Sequence, residues 1–260
     1  MRRDGGLGRA ARRSIAGASG FFALAIGLTG PAAADCRDAP GPGVNWANCS
    51  KMRLVLSGDN LAGSNLSGAL LGASDFSKAV LSGAILEAAE VSRTRFEGAD
   101  LSRSNLTKAV GWRTDFGRAN LQGANLASAD ISRSRFVNAV VAGANFTKSE
   151  LNRSDFTGAD LTGADLSKAE LARVVFQSAN LSGVNFSYSN LSRAELSGAD
   201  LRGVNLTRSY LYLTRLGGAD LRNATGLTQR QIDIACGTAQ TKLPAGLTQP
   251  SAWPCSESDD

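Results

Sequence analysis

A large apolar residue stands at every fifth position from Leu56 to Leu221, and that period limits what the chain can fold into. Leu, Phe, Val or Ile fills every such place except Gly111. A small residue (Ala, Ser, Thr or Val) lies two positions earlier almost throughout, with Leu54 and Asp59 departing. Asp, Asn or Glu is common one position before, and Gly, Arg or Lys two positions after. A helix repeats every 3.6 residues and a strand every 2, so a period of five belongs to neither alone. One such unit cannot shelter its own apolar pair, whereas coils stacked on one another can.

A second period sets the size of the coil. Phe76, Phe96, Phe116, Phe136, Phe156 and Phe176 recur every 20 residues, and so do Arg93, Arg113, Arg133, Arg153, Arg173 and Arg193. Four pentapeptides make one coil, so each coil has four faces. One face stacks phenylalanine inside. A neighbouring one carries glycine outside, at Gly63, Gly83, Gly123, Gly143, Gly163, Gly183 and Gly203, interrupted by Arg103. Glycine there supplies positive φ at a corner.

The units that carry this pattern, such as Ala159-Asp160-Leu161-Thr162-Gly163, resemble the pentapeptide-repeat family over residues 54–224. The resemblance implies an all-β fold: a right-handed quadrilateral parallel β-helix, with the central large residue and the preceding small one facing inward. About eight coils at the usual strand spacing give a rod roughly 40 Å long, filled by side chains rather than hollow. Residues 35–53 and 225–260, where the period fails and Pro, Trp and Cys gather, are expected to cap the open strand edges. The second cap contains a helix candidate near 228–236.

Residues 1–34 differ in kind. Arg2, Arg3, Arg9, Arg12 and Arg13 precede an apolar run from Ile15 to Leu28, and Pro31-Ala32-Ala33-Ala34 suits a cleavage site. This reads as a signal peptide, with Arg12-Arg13 leaving a twin-arginine route open, and it places the mature chain in the periplasm or outside the cell. No spanning segment is expected after cleavage. The whole chain has 28 basic and 23 acidic residues. Without the five arginines and one aspartate of the leader, 23 basic residues face 22 acidic ones. The alkaline balance therefore belongs to the leader, and nucleic acid is not the expected partner.

The four cysteines flank the repeat, Cys36 and Cys49 before it and Cys236 and Cys255 after it. An oxidising compartment favours disulfides. Three pairings are possible; because the rod holds its ends apart, Cys36 with Cys49 and Cys236 with Cys255 is the pairing of short reach. Zinc fits poorly, since the chain has no histidine.

The arginine column is a candidate interaction surface for an anionic or acidic partner. The plainer reading is neutralisation by Glu90, Asp130, Glu150 and Glu170, which share its face. Lys108, Lys148, Lys168 and Arg208 form a second basic column beside it. On the phenylalanine face the outward residues run Asp75, Arg95, Asp115, Arg135, Asp155, Val175, Glu195, Arg215, a mostly alternating series that suits a register device. Trp112 beside Gly111 is either a contact aromatic or, with Val110, a substitute for the missing inward side chain. Tyr210, Leu211, Tyr212 and Leu213 form a late apolar cluster suited to packing under the cap, with dimerisation as the alternative.

The sequence lacks histidine and any phosphate-cradling glycine loop, so it offers no catalytic apparatus and calls for no metal or cofactor. The expectation is a non-enzymatic exported scaffold for protein interactions, as a monomer or an end-to-end dimer. The resemblance supplies one alternative: some pentapeptide-repeat proteins mimic the DNA duplex and bind DNA gyrase. That role implies an acidic cytoplasmic rod, whereas residues 54–224 hold 18 basic and 16 acidic side chains. A module binding anionic glycans is the other alternative.

Overall fold

The computed structural model describes residues 34–255. The expected leader, apart from Ala34, lies outside them. Within each pentapeptide the small and the large residue point inward and the residue between them points out, the alternation of a very short strand. Two further residues turn the corner. The period of five is thus three residues of strand and two of turn. Parallel bridges join residues 20 apart on all four faces, as in Asn45 with Asn65, Leu70 with Glu90, Asp75 with Arg95 and Asn60 with Val80.

Backbone hydrogen bonds fix the spacing of the coils. The Leu61 N–H donates to Val80 O at 2.7 Å, and the Val80 N–H donates back to Asp59 O at 2.9 Å. At the corner, the Ala84 N–H donates to Leu81 O at 3.0 Å across Gly83, whose φ is 65°. A positive φ at the third residue of a four-residue turn is the type II signature. The outward Asp or Asn primes this turn: Asp75 Oδ1 accepts the Ser77 N–H at 2.9 Å, and Asn145 Oδ1 accepts the Thr147 N–H at 2.9 Å.

Inside, the phenylalanines stack face to face from Phe76 to Phe176, with centroids 4.4–5.5 Å apart. Phe146 meets Phe136 and Phe156 edge-on, each at 6.1 Å. Hydroxyls buried in the small-residue row tie successive coils together. Thr114 Oγ1 donates to Val91 O at 2.8 Å, and Ser154 Oγ donates to Ile131 O at 3.1 Å. The core therefore carries polar atoms without leaving these hydroxyls unsatisfied.

The bridge ladder begins at Asn45, within the stretch expected to be a cap. Trp46, 1% exposed, and Cys49 take the inward large and small positions there. Lys51 interrupts the apolar series one unit later, which conceals this first coil from a search for Leu, Phe, Val and Ile. Cys36 and Cys49 are disulfide-bonded, and the Trp46 indole N–H donates to Asp38 O at 3.1 Å. At the other end the ladder runs on irregularly, Arg215 bridging Cys236 and Asp220 bridging Lys242. A short helix, Gln229–Asp233, lies between these coils. The Gln231 amide donates to Leu206 O at 2.8 Å and to Ser209 O at 3.0 Å, and Thr241 Oγ1 donates to Leu216 O at 2.8 Å. Carbonyls of the late coils thereby find partners in the tail. Cys236 and Cys255 are disulfide-bonded, and Trp253 lies against Gly237. No helix among the described residues is long and apolar enough to cross a membrane.

Candidate functional site

Each arginine of the long column occupies the second turn residue of its pentapeptide. Arg93, Arg113, Arg133, Arg153, Arg173 and Arg193 have φ between 55° and 60°. This is the left-handed region, where a side chain costs about 1–2 kcal/mol relative to glycine. Lys108, Lys148, Lys168 and Arg208 sit in the same conformation on the neighbouring corner, with φ between 54° and 60°. The basic columns and the glycine column thus share one backbone geometry. The residue type, not the fold, decides which corner is a furrow and which is a cationic ridge.

The arginines from Arg93 to Arg173 are exposed, and none of them is ion-paired among the described residues. Three of the four acids expected to neutralise them bond elsewhere. Glu90 accepts the Ser92 N–H at 2.8 Å, Asp130 accepts the Ser132 N–H at 3.2 Å, and Glu170 accepts the Asn190 side-chain N–H at 2.8 Å. These acids temper the field of the column without pairing its guanidinium groups.

Trp112 lies among three of the arginines. The guanidinium carbons of Arg113, Arg93 and Arg133 stand 4.1, 5.6 and 5.8 Å from its ring centroid. It therefore does not fill the space left by Gly111, and neither does Val110, which is 46% exposed. The coil before it and the next unit of its own coil close that space: a Cβ on Gly111 would lie 2.8 Å from Val91 Cγ2 and 2.9 Å from Thr114 Oγ1. The Gly111 carbonyl accepts from Thr114 Oγ1 and Ser134 Oγ, each at 2.8 Å. Tyr210 and Tyr212 stack at 6.1 Å and stay about half exposed, so the tail does not cover their rings.

On the phenylalanine face, opposite charges meet coil to coil. Arg95 pairs with Asp75 at 3.5 Å, Arg135 with Asp115 at 3.2 Å and Arg215 with Glu195 at 3.8 Å. Val175 breaks the alternation. Near the end of the rod, two hydrogen bonds from the Arg202 guanidinium pull Asp200 down from 3.8 to about 2, and Arg222 lowers Asp220 in the same way. Hydrogen bonds from Ser77 lower Asp75. Depressed carboxylates stabilise the fold above their unfolded value and lose that contribution as pH falls through the folded one. The melting temperature is therefore expected to hold from pH 7 to about 4 and to decline between about 4 and 2, and Asp200→Asn should shrink that step. A scan that already falls between pH 6 and 5 would contradict this assignment.

Among the described residues no cluster of Cys, Asp or Glu is arranged to hold a metal ion. The comparisons agree with the geometry. A pentapeptide-repeat family model of eight copies matches residues 60–98 and 99–136. A second model, described as a pentapeptide repeat region, matches 129–206 and 149–225. No curated protein matches the sequence. Among solved structures, the chain is 29% identical to HetL, a pentapeptide-repeat protein involved in the regulation of heterocyst differentiation in the cyanobacterium Nostoc. That likeness has a TM-score of 0.59 and covers 79% of this chain and 91% of HetL. A trypsin-treated form of QnrB1, a plasmid-mediated fluoroquinolone resistance protein, is 22% identical with a TM-score of 0.50. It matches over 73% of this chain and 92% of its own, and shows the fold alone. The five-residue units, the coil of four units and both family models converge: the chain belongs to the pentapeptide-repeat family, and its rod is a right-handed quadrilateral β-helix.

Proposed function

We propose that this protein is a non-enzymatic, exported interaction rod whose arginine column, centred on Trp112, forms the partner-binding face. The carrying observation is the exposed run from Arg93 to Arg173, stacked coil upon coil at positive φ without ion pairs among the described residues. Like charges aligned in neighbouring coils repel one another, and each side chain is strained where glycine is not. Solubility alone does not need so expensive an arrangement, since charge could sit on any strained-free outward position. A ridge of guanidinium groups around an indole also has the composition of an interface hot spot. An acidic protein surface is the complementary partner. The two paired disulfides suit an oxidising compartment, which supports export.

The test is crosslinking capture in the exporting cell, comparing the native chain with a variant carrying Arg113→Gln, Arg133→Gln and Arg153→Gln. The native rod should retain a specific partner that the variant loses, while circular dichroism shows both equally folded. A partner held equally well by the variant would move the binding face elsewhere on the rod. Failure of either protein to retain one would remove the support for a scaffold.

A further inference from the structure

The two ends of the rod are closed unequally. In the second coil the outward residue of each strand sends both its N–H and its C=O to the coil before it. Leu70, Asp75 and Val80 donate to Cys49 O, Leu54 O and Asp59 O at 2.8–2.9 Å, and their carbonyls accept from the N–H groups of Lys51, Leu56 and Leu61 at 2.7 Å. Ser50, Val55 and Asn60 hold the same positions in the first coil and have no coil before them. Their backbone N–H and C=O groups find no hydrogen-bond partner among the described residues, and all three residues are exposed. Val55 is 80% exposed and Met52, on the corner before it, 46%. Residues 34–44 are tied to Trp46 and Cys49, through the indole bond to Asp38 O and the disulfide from Cys36, and give no hydrogen bond to Ser50, Val55 or Asn60. The far end differs. There the Leu206, Leu216 and Leu221 N–H groups donate to Thr225 O, Cys236 O and Lys242 O at 2.6–2.8 Å.

An open strand edge is a template for another strand. The residues around Val55 are self-complementary. Lys51 and Asp59 stand four residues to either side of it, and Ser50 and Asn60 five. In an antiparallel pair centred on Val55, Lys51 therefore meets Asp59 of a second copy, Ser50 meets Asn60, Arg53 meets Ser57, and Val55 meets itself. No like charges oppose. The Lys51 ammonium also lies 3.9 Å from the Trp46 ring centroid, which holds it at this edge.

We propose that the open N-terminal edge pairs with the same edge of a second copy, joining two rods head to head. Each Val55 N–H donates to the other Val55 carbonyl, and the exposed Val55 and Met52 side chains lose apolar surface to water. The sealed far end offers no edge for head-to-tail stacking, so the contact closes at two copies instead of growing into a fibre. The end of a rod is a small interface, and the dimer is accordingly weak. Joined rods carry two arginine columns, which gives avidity for a partner with two acidic sites. The pairing stands on the strand edge and does not need the arginine column to bind anything.

The test uses the chain purified from the exporting cell. Sedimentation over a wide concentration range should show a monomer–dimer equilibrium and no larger species. Val55→Asp sets two carboxylates against each other across the pair and should weaken association about fivefold, with the melting temperature unchanged because the side chain is exposed. All four cysteines are already disulfide-bonded, so an added thiol reports alone. Val55→Cys should give a disulfide-linked dimer on mild oxidation, since directly opposed residues of a hydrogen-bonded antiparallel pair have Cα atoms about 5.5 Å apart, within disulfide reach. Ile85→Cys, at an outward position 41% exposed but with both neighbouring coils in place, should not. The pairing is overturned by a chain that stays monomeric and does not crosslink through Val55→Cys, or by polymers larger than two. It is equally overturned if Val55→Asp associates as tightly as the native chain, or if Ile85→Cys crosslinks as fast as Val55→Cys. Partner capture reads Arg113, Arg133 and Arg153, so the two ideas fail separately.

Discussion

Phe136→Ala is expected to destabilise the rod by about 3–5 kcal/mol, the upper range for removing a buried aromatic side chain. Phe136 is fully buried, stacks on Phe116 at 4.8 Å and on Phe156 at 4.4 Å, and receives the edge of Phe146. How far a site can collapse around a deletion sets its cost. Here collapse is blocked, because hydrogen bonds of 2.7 Å from Phe136 N–H to Asp155 O and from Phe116 N–H to Arg135 O set the distance between coils. The cavity therefore persists. In a solenoid each coil contacts only its neighbours, so the weakened junction also lowers the cooperativity between the two halves. Phe136→Leu should cost less than about 1.5 kcal/mol, since leucine keeps most of the volume. Leu56, Leu196 and Leu216 already occupy the same row. Urea denaturation of the three proteins measures both effects. An alanine cost no larger than the leucine cost would mean that the stack does not hold the coils together.

The same rigidity explains which parts of the molecule were legible in the sequence. Inward positions repeat because every coil imposes the same neighbours on them, so Leu61 through Leu221 and the phenylalanine column are visible as a period alone. The alternating ladder from Asp75 to Arg135 is visible for a similar reason, since residues 20 apart must face each other. Departures were harder to read. Trp46 and Cys49 fill inward places with unusual residue types, and Lys51 then hides the coil they begin. At Gly111 the spacing shows that a side chain is missing, but not that Val91 and Thr114 close the gap and leave Trp112 outside. Arg93 and Gly83 look like opposite choices in the sequence, one charged and one plain. That they share a positive φ, 57° and 65°, follows only from the turn geometry.

Two glycines with the same backbone conformation should respond very differently to alanine. Gly163 and Gly226 have φ of 64° and 70°. A Cβ on Gly163 would meet nothing within 4 Å, and Arg153 and Arg173 adopt the same conformation at equivalent corners, both with φ of 60°. Gly163→Ala should cost only the left-handed penalty, about 1 kcal/mol. A Cβ on Gly226 would lie 2.6 Å from Thr207 Cα and 2.7 Å from Thr207 Cβ. The obstacle is backbone, so no rotamer relieves it, and the overpacking term adds to the φ term for a total of about 2–4 kcal/mol. Position 226 is also where the last regular bridge, Asn205 with Thr225, gives way to the tail. Displacing it pulls on the 2.9 Å bond from the Thr225 N–H to Val204 O and on the Gln231 contacts to Leu206 and Ser209. The disulfide from Cys236 to Cys255 keeps the tail tethered, so the expected result is a loosened end on an intact rod. Hydrogen exchange should show lost protection at Thr225, Ile232 and Cys236 with the coils around Phe136 unchanged. Equal stability of the two alanine variants, or lost protection spread evenly along the rod, would show that the junction is not held by the close passage of residue 226 over Thr207.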